Sequence, residues 1–165
     1  MPDADEVIGR STGAAKVRVE RGPITKFATS VLNDSPVYQR ADVAREAGFA
    51  DVPAPPTYAF SGLQFWGAFP EEQPPDPTGG SNPMAEIMGG LLSKGGMILH
   101  GEQEFTYHRP IVAGDVLTYE GKVVDLYSKE SSSGRVMTFL VTEDVWRDEA
   151  GEPVLTSRMN LIHRA

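Results

Sequence analysis

The feature that most constrains the fold is a change of period in the second half of the chain. From Met97 onward, apolar and polar residues alternate over four long segments, which is the two-residue period of β-strands. Residues 128–135, rich in Ser and Gly, and residues 147–153 are typical of the hairpin loops that join such strands. The chain begins with one weak strand and helical patterns, so its element order predicts an α+β fold with an antiparallel sheet.

An apolar segment without a charged residue lies before these strands, at residues 58–69. It is apolar on nearly all sides, which is typical of a buried helix. Thr57, directly after Pro55 and Pro56, is a suitable N-cap for this helix. We therefore expect this buried helix to pack on a curved antiparallel sheet, and its first amide groups could polarise a bound carbonyl.

The length of 165 residues fits one domain, which we expect to span residues 16–165 after a flexible tail at 1–15. Residues 70–96 differ in composition from their flanks and predict an insertion. Within it, Met88 belongs to an apolar stripe at helical spacing. The stripe either lines an acyl tunnel or, as is more common for such a pattern, packs in the core or at a subunit interface.

Charge and composition exclude several classes of function. The formal net charge of −8 argues against nucleic-acid binding, which depends on Lys and Arg at phosphates. The chain has no Cys, and no apolar run approaches the roughly 18 residues that span a bilayer. The acidic residues 1–6 do not form a secretory signal, so a cytoplasmic protein without membrane contact is expected. Nothing in the sequence indicates a cofactor.

The segment from Leu32 to Tyr38 resembles the signature Gly-Asp-x-Asn-Pro-Leu-His of MaoC-type (R)-specific enoyl-thioester hydratases. In that family the Asp and the His activate the water that adds to the enoyl thioester. Asn33 and Tyr38 occupy these two positions here. An amide does not titrate and a free phenol has a pKa of about 10, so neither is a general base near neutral pH. Asp34, one position out of register, is either a displaced base or a turn residue.

Three further segments extend the resemblance over most of the chain, to the FAS1-like dehydratase domain: residues 19–27, 54–57 and 108–115. The spacing is similar to the substrate-binding, non-catalytic subunit of the mycobacterial (R)-3-hydroxyacyl-ACP dehydratase. The resemblance implies a hot-dog fold, in which an antiparallel sheet wraps around a long central helix. It also implies a homodimer or, more specifically, a heterodimer whose other subunit supplies the Asp and His.

The function implied by this resemblance is binding of an acyl-CoA or acyl-ACP thioester as one subunit of a hydratase or dehydratase. Two alternatives remain open: a self-sufficient homodimeric hydratase or thioesterase, and a non-enzymatic protein that binds acyl thioesters. The substrate-binding residues predicted on this basis are Pro56, Thr57, Tyr58, Met88, His108 and Arg109.

A metal site is not expected, although His100 and His108 fall on one face of a predicted strand. At about 3.3 Å per residue they would lie about 26 Å apart, too far to bind one ion. His108 and Arg109 either shape the mouth of the pocket and contact a phosphate of coenzyme A, or belong to a solvated strand face.

Overall fold

The fold is built on five antiparallel strands in the spatial order β1-β3-β4-β5-β2. The computed structural model describes residues 4–61, 63, 67–132 and 134–164. The strands are β1 (Ser11–Arg18), β2 (Met97–Tyr107), β3 (Val116–Glu130), β4 (Val136–Arg147) and β5 (Pro153–Arg164). The four strands predicted after Met97 are confirmed, and so is the α+β class.

One helix precedes β1, and the other helices lie between β1 and β2 in the chain. They are α1 (Ala4–Val7), α2 (Arg21–Ser30), α3 (Ala41–Glu46), α4 (Tyr58–Ser61) and α5 (Pro83–Leu92), with 3-10 turns at Pro36–Tyr38 and Pro70–Glu72. Within the described ranges, no helix has the length and apolar character needed to cross a membrane.

The central helix predicted over residues 58–69 is shorter than expected at its C-terminal end. Tyr58 and Leu63 are helical and fully buried, whereas Gly67 no longer has helical conformation. Gly62 and residues 64–66 lie outside the described part of the chain. A Cβ on Gly67 would stand 2.5 Å from the carbonyl oxygen of Arg18, so the chain turns here in close contact with β1.

The sequence prediction of a loose tail over residues 1–15 was wrong for residues 4–15. Val7 is buried, and β1 begins at Ser11, where it pairs with Lys122 of β3. The small residues Gly13 to Ala15 gave no clear alternation because they contribute little apolar surface. These residues belong to the sheet because their backbone pairs with β3, and their side chains contribute little.

Two apolar clusters lie on one side of the sheet, which we call the inner face. The first surrounds α2 and α4 and includes Trp146 of β4. The second lies beneath α1 and α5 and includes Leu140, six residues earlier on the same strand. Residues 140 and 146 point to the same side because side chains alternate along a strand. Both clusters therefore lie on the inner face.

The sheet faces predicted for the β2 side chains were wrong for the residues before Gly101. A bulge between His100 and Glu102 leaves Gly101 without a partner, so His100 pairs with Leu161 while Glu102 pairs with Asn160. His100 therefore lies on the inner face, where its ring is 5.2 Å from the ring of Phe60. An extra residue in a strand reverses the faces beyond it, which simple alternation cannot predict.

The two edges of the sheet differ. At the β1 edge, the Gln73 side chain accepts a hydrogen bond from the amide of Lys16 and donates one to its carbonyl oxygen. Glu72 adds a two-point ion pair with Arg18. We call Glu72 and Gln73 the edge clamp. The β2 edge has exposed Met97 and Leu99, and no described segment pairs with it.

Candidate functional site

The candidate site is a cleft of about 410 Å³ at the end of β2. It brings together four of the residues singled out in the sequence: Tyr38, Pro56, His108 and Arg109. The other described residues that line it are Val37, Phe49, Pro53, Ala54, Tyr107, Pro110 and Ile111. Apolar and aromatic side chains with few polar groups are typical of a small-molecule site.

Backbone hydrogen bonds hold the walls of this cleft together. The amide of Ala54 donates to the carbonyl of Ile111 at 2.8 Å, and Pro53 pairs with Val112 as an isolated bridge. Across the cleft, the Thr25 hydroxyl donates to the carbonyl of Tyr38 at 2.9 Å, which ties the 3-10 turn to α2. The cleft is thus formed between segments far apart in sequence.

Tyr107 is a lining residue that the sequence interpretation missed. Its hydroxyl donates a hydrogen bond to the carbonyl oxygen of Pro56, next to the start of α4. Burial raises the pKa of Tyr107 to about 12, so the phenol is a neutral donor at physiological pH. The alternation of β2 predicted its face, but nothing local to residue 107 predicts its contact with residue 56.

His108 lies at the mouth of the cleft, directly after β2. Its backbone amide donates to the carbonyl of Val154, which extends the pairing with β5 by one residue. Its Nε2 is 3.1 Å from the Thr156 hydroxyl, and the side chain is exposed. The imidazole is therefore fixed in orientation and accessible from solvent.

Arg109 is already paired with two carboxylates. Its guanidinium donates to Asp115 at 2.8 Å and to Asp148 at 3.4 Å. Hydrogen bonding to Asp115 is the main reason that the pKa of Arg109 is raised. Asp115 also accepts from the amide of Val112 at 2.9 Å, so the arginine organises the loop that forms one wall. It is not placed as a free phosphate ligand.

The two positions that the resemblance assigns to the catalytic Asp and His have different surroundings. Tyr38 lines the cleft, whereas Asn33 and Asp34 are not among its lining residues. The Asn33 Oδ1 accepts a hydrogen bond from the amide of Ser35 at 3.1 Å, which is a local turn contact. Asp34 is exposed, and its carbonyl accepts from the side chain of Gln39. Both residues have the structural roles expected of a turn.

Three other predicted residues also lie outside the cleft. Tyr58 is fully buried, with its ring 5.5 Å from that of Phe27 and a pKa raised to about 12, chiefly by burial. Met88 is 7% exposed and belongs to the second apolar cluster. Thr57 is exposed and its carbonyl accepts from the amide of Phe60. No side-chain cap from Thr57 is seen among the described contacts.

The described lining of the cleft offers more apolar surface than acid–base groups. Its described lining residues include no carboxylate, and His108 supplies the one imidazole among them. Hydration of an enoyl thioester requires groups that position and deprotonate water. The described lining supplies apolar surface, two phenols and one imidazole, without a carboxylate–imidazole pair.

Comparison with known proteins places the chain in a family. The model of the FAS1-like, dehydratase domain region matches residues 6–157. The chain belongs to this family. A UPF0336 protein of Streptomyces avermitilis is 34% identical over 147 residues, covering 89% of this chain and 85% of the relative. A UPF0336 protein of Thermobifida fusca is 33% identical over 146 residues, covering 88% of this chain and 83% of the relative.

Solved structures show the same fold at low identity. The ChsH1-ChsH2 complex from Mycobacterium tuberculosis matches with a TM-score of 0.67 and 21% identity, covering 92% of this chain and 83% of that one. The C-terminally truncated HadBC (3R-hydroxyacyl-ACP dehydratase) complex from the same organism matches with a TM-score of 0.63 and 18% identity. The match covers 93% of this chain and 96% of that one. The FAS1-like dehydratase domain therefore has the hot-dog fold, and both predictions are confirmed.

Proposed function

We propose that this chain is the acyl-thioester-binding subunit of an (R)-specific enoyl-thioester hydratase or 3-hydroxyacyl-thioester dehydratase. A partner subunit with the same fold supplies the catalytic Asp and His. Membership of a dehydratase family supports the reaction class. The similar HadBC and ChsH1-ChsH2 structures are complexes, which supports a two-subunit assembly.

The observation that carries the proposal is a preserved cleft with a missing acid–base pair. The turn that holds Tyr38 still lines an apolar cleft, yet Asn33 and Tyr38 replace the Asp and His of the resembled motif. Loss of a positioned acid or base typically lowers a rate by about 10²–10⁴-fold. Binding surface without that pair fits a subunit that holds the substrate while catalysis takes place in another subunit.

The difference between the two edges of the sheet supports a proposal about where the partner subunit binds. The edge clamp occupies the backbone groups of Lys16 at β1. No described segment pairs with the outer edge of β2, and Leu99 on this strand is exposed; both features favour strand pairing. We propose that the partner, a catalytic hot-dog subunit or a second copy of this chain, pairs along β2. Tyr107 and His108 would then lie beside the subunit boundary.

The net charge indicates whether the acyl group is carried by coenzyme A or by a carrier protein. A chain of net charge −8 repels an acidic carrier protein unless its partner provides a basic surface. Coenzyme A thioesters, or a carrier protein bound mainly by the partner, agree better with this charge. Titration of the isolated chain and of the assembled complex with the same acyl group on coenzyme A and on a carrier protein distinguishes these cases.

Two measurements on the isolated chain test the binding part of the proposal. Calorimetric titration with an acyl-CoA should show binding, and a crotonyl-CoA hydration assay should show no turnover above background. Narrowing the cleft by Ala54→Trp should weaken binding, whereas Ala85→Trp, at an exposed position of α5, should leave it unchanged. Equal binding by both variants would place the thioester elsewhere.

A self-sufficient enzyme is the second candidate, and His108 is the observation that favours it. The imidazole lies at the cleft with one nitrogen held by Thr156. If the isolated chain hydrates or hydrolyses thioesters, His108→Gln should abolish the reaction. His163→Gln would alter a buried histidine bonded to Gly95, away from the cleft, and serves to detect a loss of activity caused by misfolding.

A further inference from the structure

The side of the sheet opposite the inner face, which we call the outer face, has an apolar row near one end. Phe139 of β4 pairs with Ile162 of β5, and Ile162 pairs with Leu99 of β2. Leu99 is 43% exposed, and Phe139 and Ile162 are partly exposed. Among the described residues, neither apolar cluster includes these three side chains. A continuous patch of exposed apolar side chains is typical of an interaction surface.

The rows on the two sides of this apolar row differ in charge. Both use the same three strands, because side chains two residues apart on a strand share a face. The row on one side contains a base and consists of Met137, Arg164 and Met97. The row on the other side contains an acid and consists of Val141, Asn160 and Glu102. We call the three rows together the outer patch.

The two charges of the outer patch are unpaired within the described part of the chain. Arg164 and Glu102 are both exposed, and no ion pair joins either of them to another described residue. They lie on opposite sides of the apolar row. Each is therefore available to a group outside the chain.

The acidic side of the outer patch is concave. A depression of about 230 Å³ lies there, and Glu102 and Glu104 are among its lining residues. Arg158 also lines it, but its guanidinium is already paired with Glu143 at 3.1 Å. The depression therefore offers both room and negative charge to a further guanidinium.

The three rows are complementary to a second copy of themselves. A two-fold axis along the apolar row places each strand over the same strand of the second copy and exchanges the two flanking rows. Arg164 of one copy then faces the depression beside Glu102 of the other, and Met137 faces Val141. Each contact occurs twice, as in any isologous interface. Stacked sheets lie about 10 Å apart, a distance that side chains from both faces fill.

We propose that the outer patch is a second interface, through which two copies of this chain associate face to face. The occupant is a second copy because one chain carries both halves of the contact, a base on one side of the apolar row and an acidic depression on the other. The patch shares β2 with the proposed partner edge, but it uses side chains on the face and leaves the backbone groups of that edge free. Two units paired along β2 would thereby form an assembly of four chains.

Sedimentation velocity over a concentration series tests the inference on the full chain. The unit present at micromolar concentration should double in mass as the concentration rises further, because a small patch gives weak association. Arg164→Glu should weaken this step at least about tenfold, since it brings like charges together at two symmetric positions. Lys26→Glu, at an exposed position of α2, changes the net charge equally and should associate like the wild-type chain.

A charge exchange separates this contact from a general effect on folding. Glu102→Arg should weaken the doubling step as Arg164→Glu does, and the combined variant Glu102→Arg/Arg164→Glu should restore it, because each copy then presents the opposite pair. The unit at micromolar concentration should be the same in all variants, so pairing along β2 and the proposed function are tested separately. A wild-type chain that does not double, an Arg164→Glu chain that doubles equally well, or a combined variant that fails to recover would overturn the inference.

Discussion

At the scale of single residues, the structure separates groups that the sequence placed together. Tyr38 lines the cleft, while Asn33, five residues earlier, bonds within its own turn. Arg109 looked like a phosphate ligand, but Asp115 and Asp148 occupy its guanidinium. Neither outcome can be predicted from spacing, because each depends on side-chain contacts made after the fold is complete. His108, in contrast, has an exposed side chain at the cleft.

Asp144 supports a prediction about the pH dependence of stability. Its folded pKa is about 6 against an ordinary 3.8, so the folded protein holds the proton more tightly than the unfolded chain. Stability should therefore fall as pH rises from 3.8 through about 6 and stay lower above it. Asp144→Asn should raise the free energy of unfolding near neutral pH by about 2 kcal/mol, and by little below pH 4.

Urea unfolding across this pH range measures the effect. Asp125→Asn provides the control, because that carboxylate is exposed on β3 and should change stability little at any pH. Equal pH profiles for the wild-type chain and Asp144→Asn would show that this carboxylate is not buried as described.

At the scale of elements, the sequence predicts helix and strand identity well and the details of contact poorly. Alternation after Met97 located β2 to β5, yet the bulge at Gly101 reversed the faces before it. The tail prediction failed because β1 is held by pairing with β3 and not by apolar side chains. The cleft residue Tyr107 was missed for a related reason, since its partner Pro56 lies in a distant segment.

The burial of Met88 yields a prediction about α5. Met88 is buried against the sheet, so Met88→Trp should overpack the second cluster and destabilise the fold by about 1–3 kcal/mol. Leu92→Trp, at an exposed position of the same helix, should change the melting temperature little. Weaker binding of long than of short acyl-CoA by a fully stable Met88→Trp would instead favour the tunnel interpretation.

The edge clamp is expected to keep β1 from pairing with other chains. Gln73→Ala removes two hydrogen bonds to Lys16 and leaves its backbone groups free. The variant should lose about 1–2 kcal/mol of stability and form larger assemblies as concentration rises. Glu71→Ala, two residues earlier and exposed, should behave like the wild-type chain. Size-exclusion chromatography over a concentration series separates these outcomes, and identical elution of the two variants would contradict the role of the clamp.

At the scale of the whole molecule, the two edges of the sheet differ: the edge clamp contacts β1, and no described segment pairs with the outer edge of β2. The chain has a hot-dog sheet, an apolar cleft at the end of β2 and a motif whose acid–base residues are replaced. The family and the fold could be predicted from the order of motifs along the chain, because that order fixes the topology. The contacts within the cleft could not, because they join segments that lie far apart in the sequence.

Light scattering tests the assembly directly. The purified chain should be a dimer at micromolar concentration, or should become a stable heterodimer when expressed with a hot-dog subunit, because an open β2 edge favours pairing. A stable monomer that captures no such subunit would contradict pairing along β2.

The central claim is tested most directly by measuring crotonyl-CoA hydration with this chain alone and with a hot-dog subunit that has an intact Gly-Asp-x-Asn-Pro-x-His motif, beginning with one encoded beside it. The account predicts no turnover by the isolated chain and robust turnover by the complex, lost when the Asp of the partner is replaced. Turnover by the isolated chain that is unaffected by the partner would contradict it.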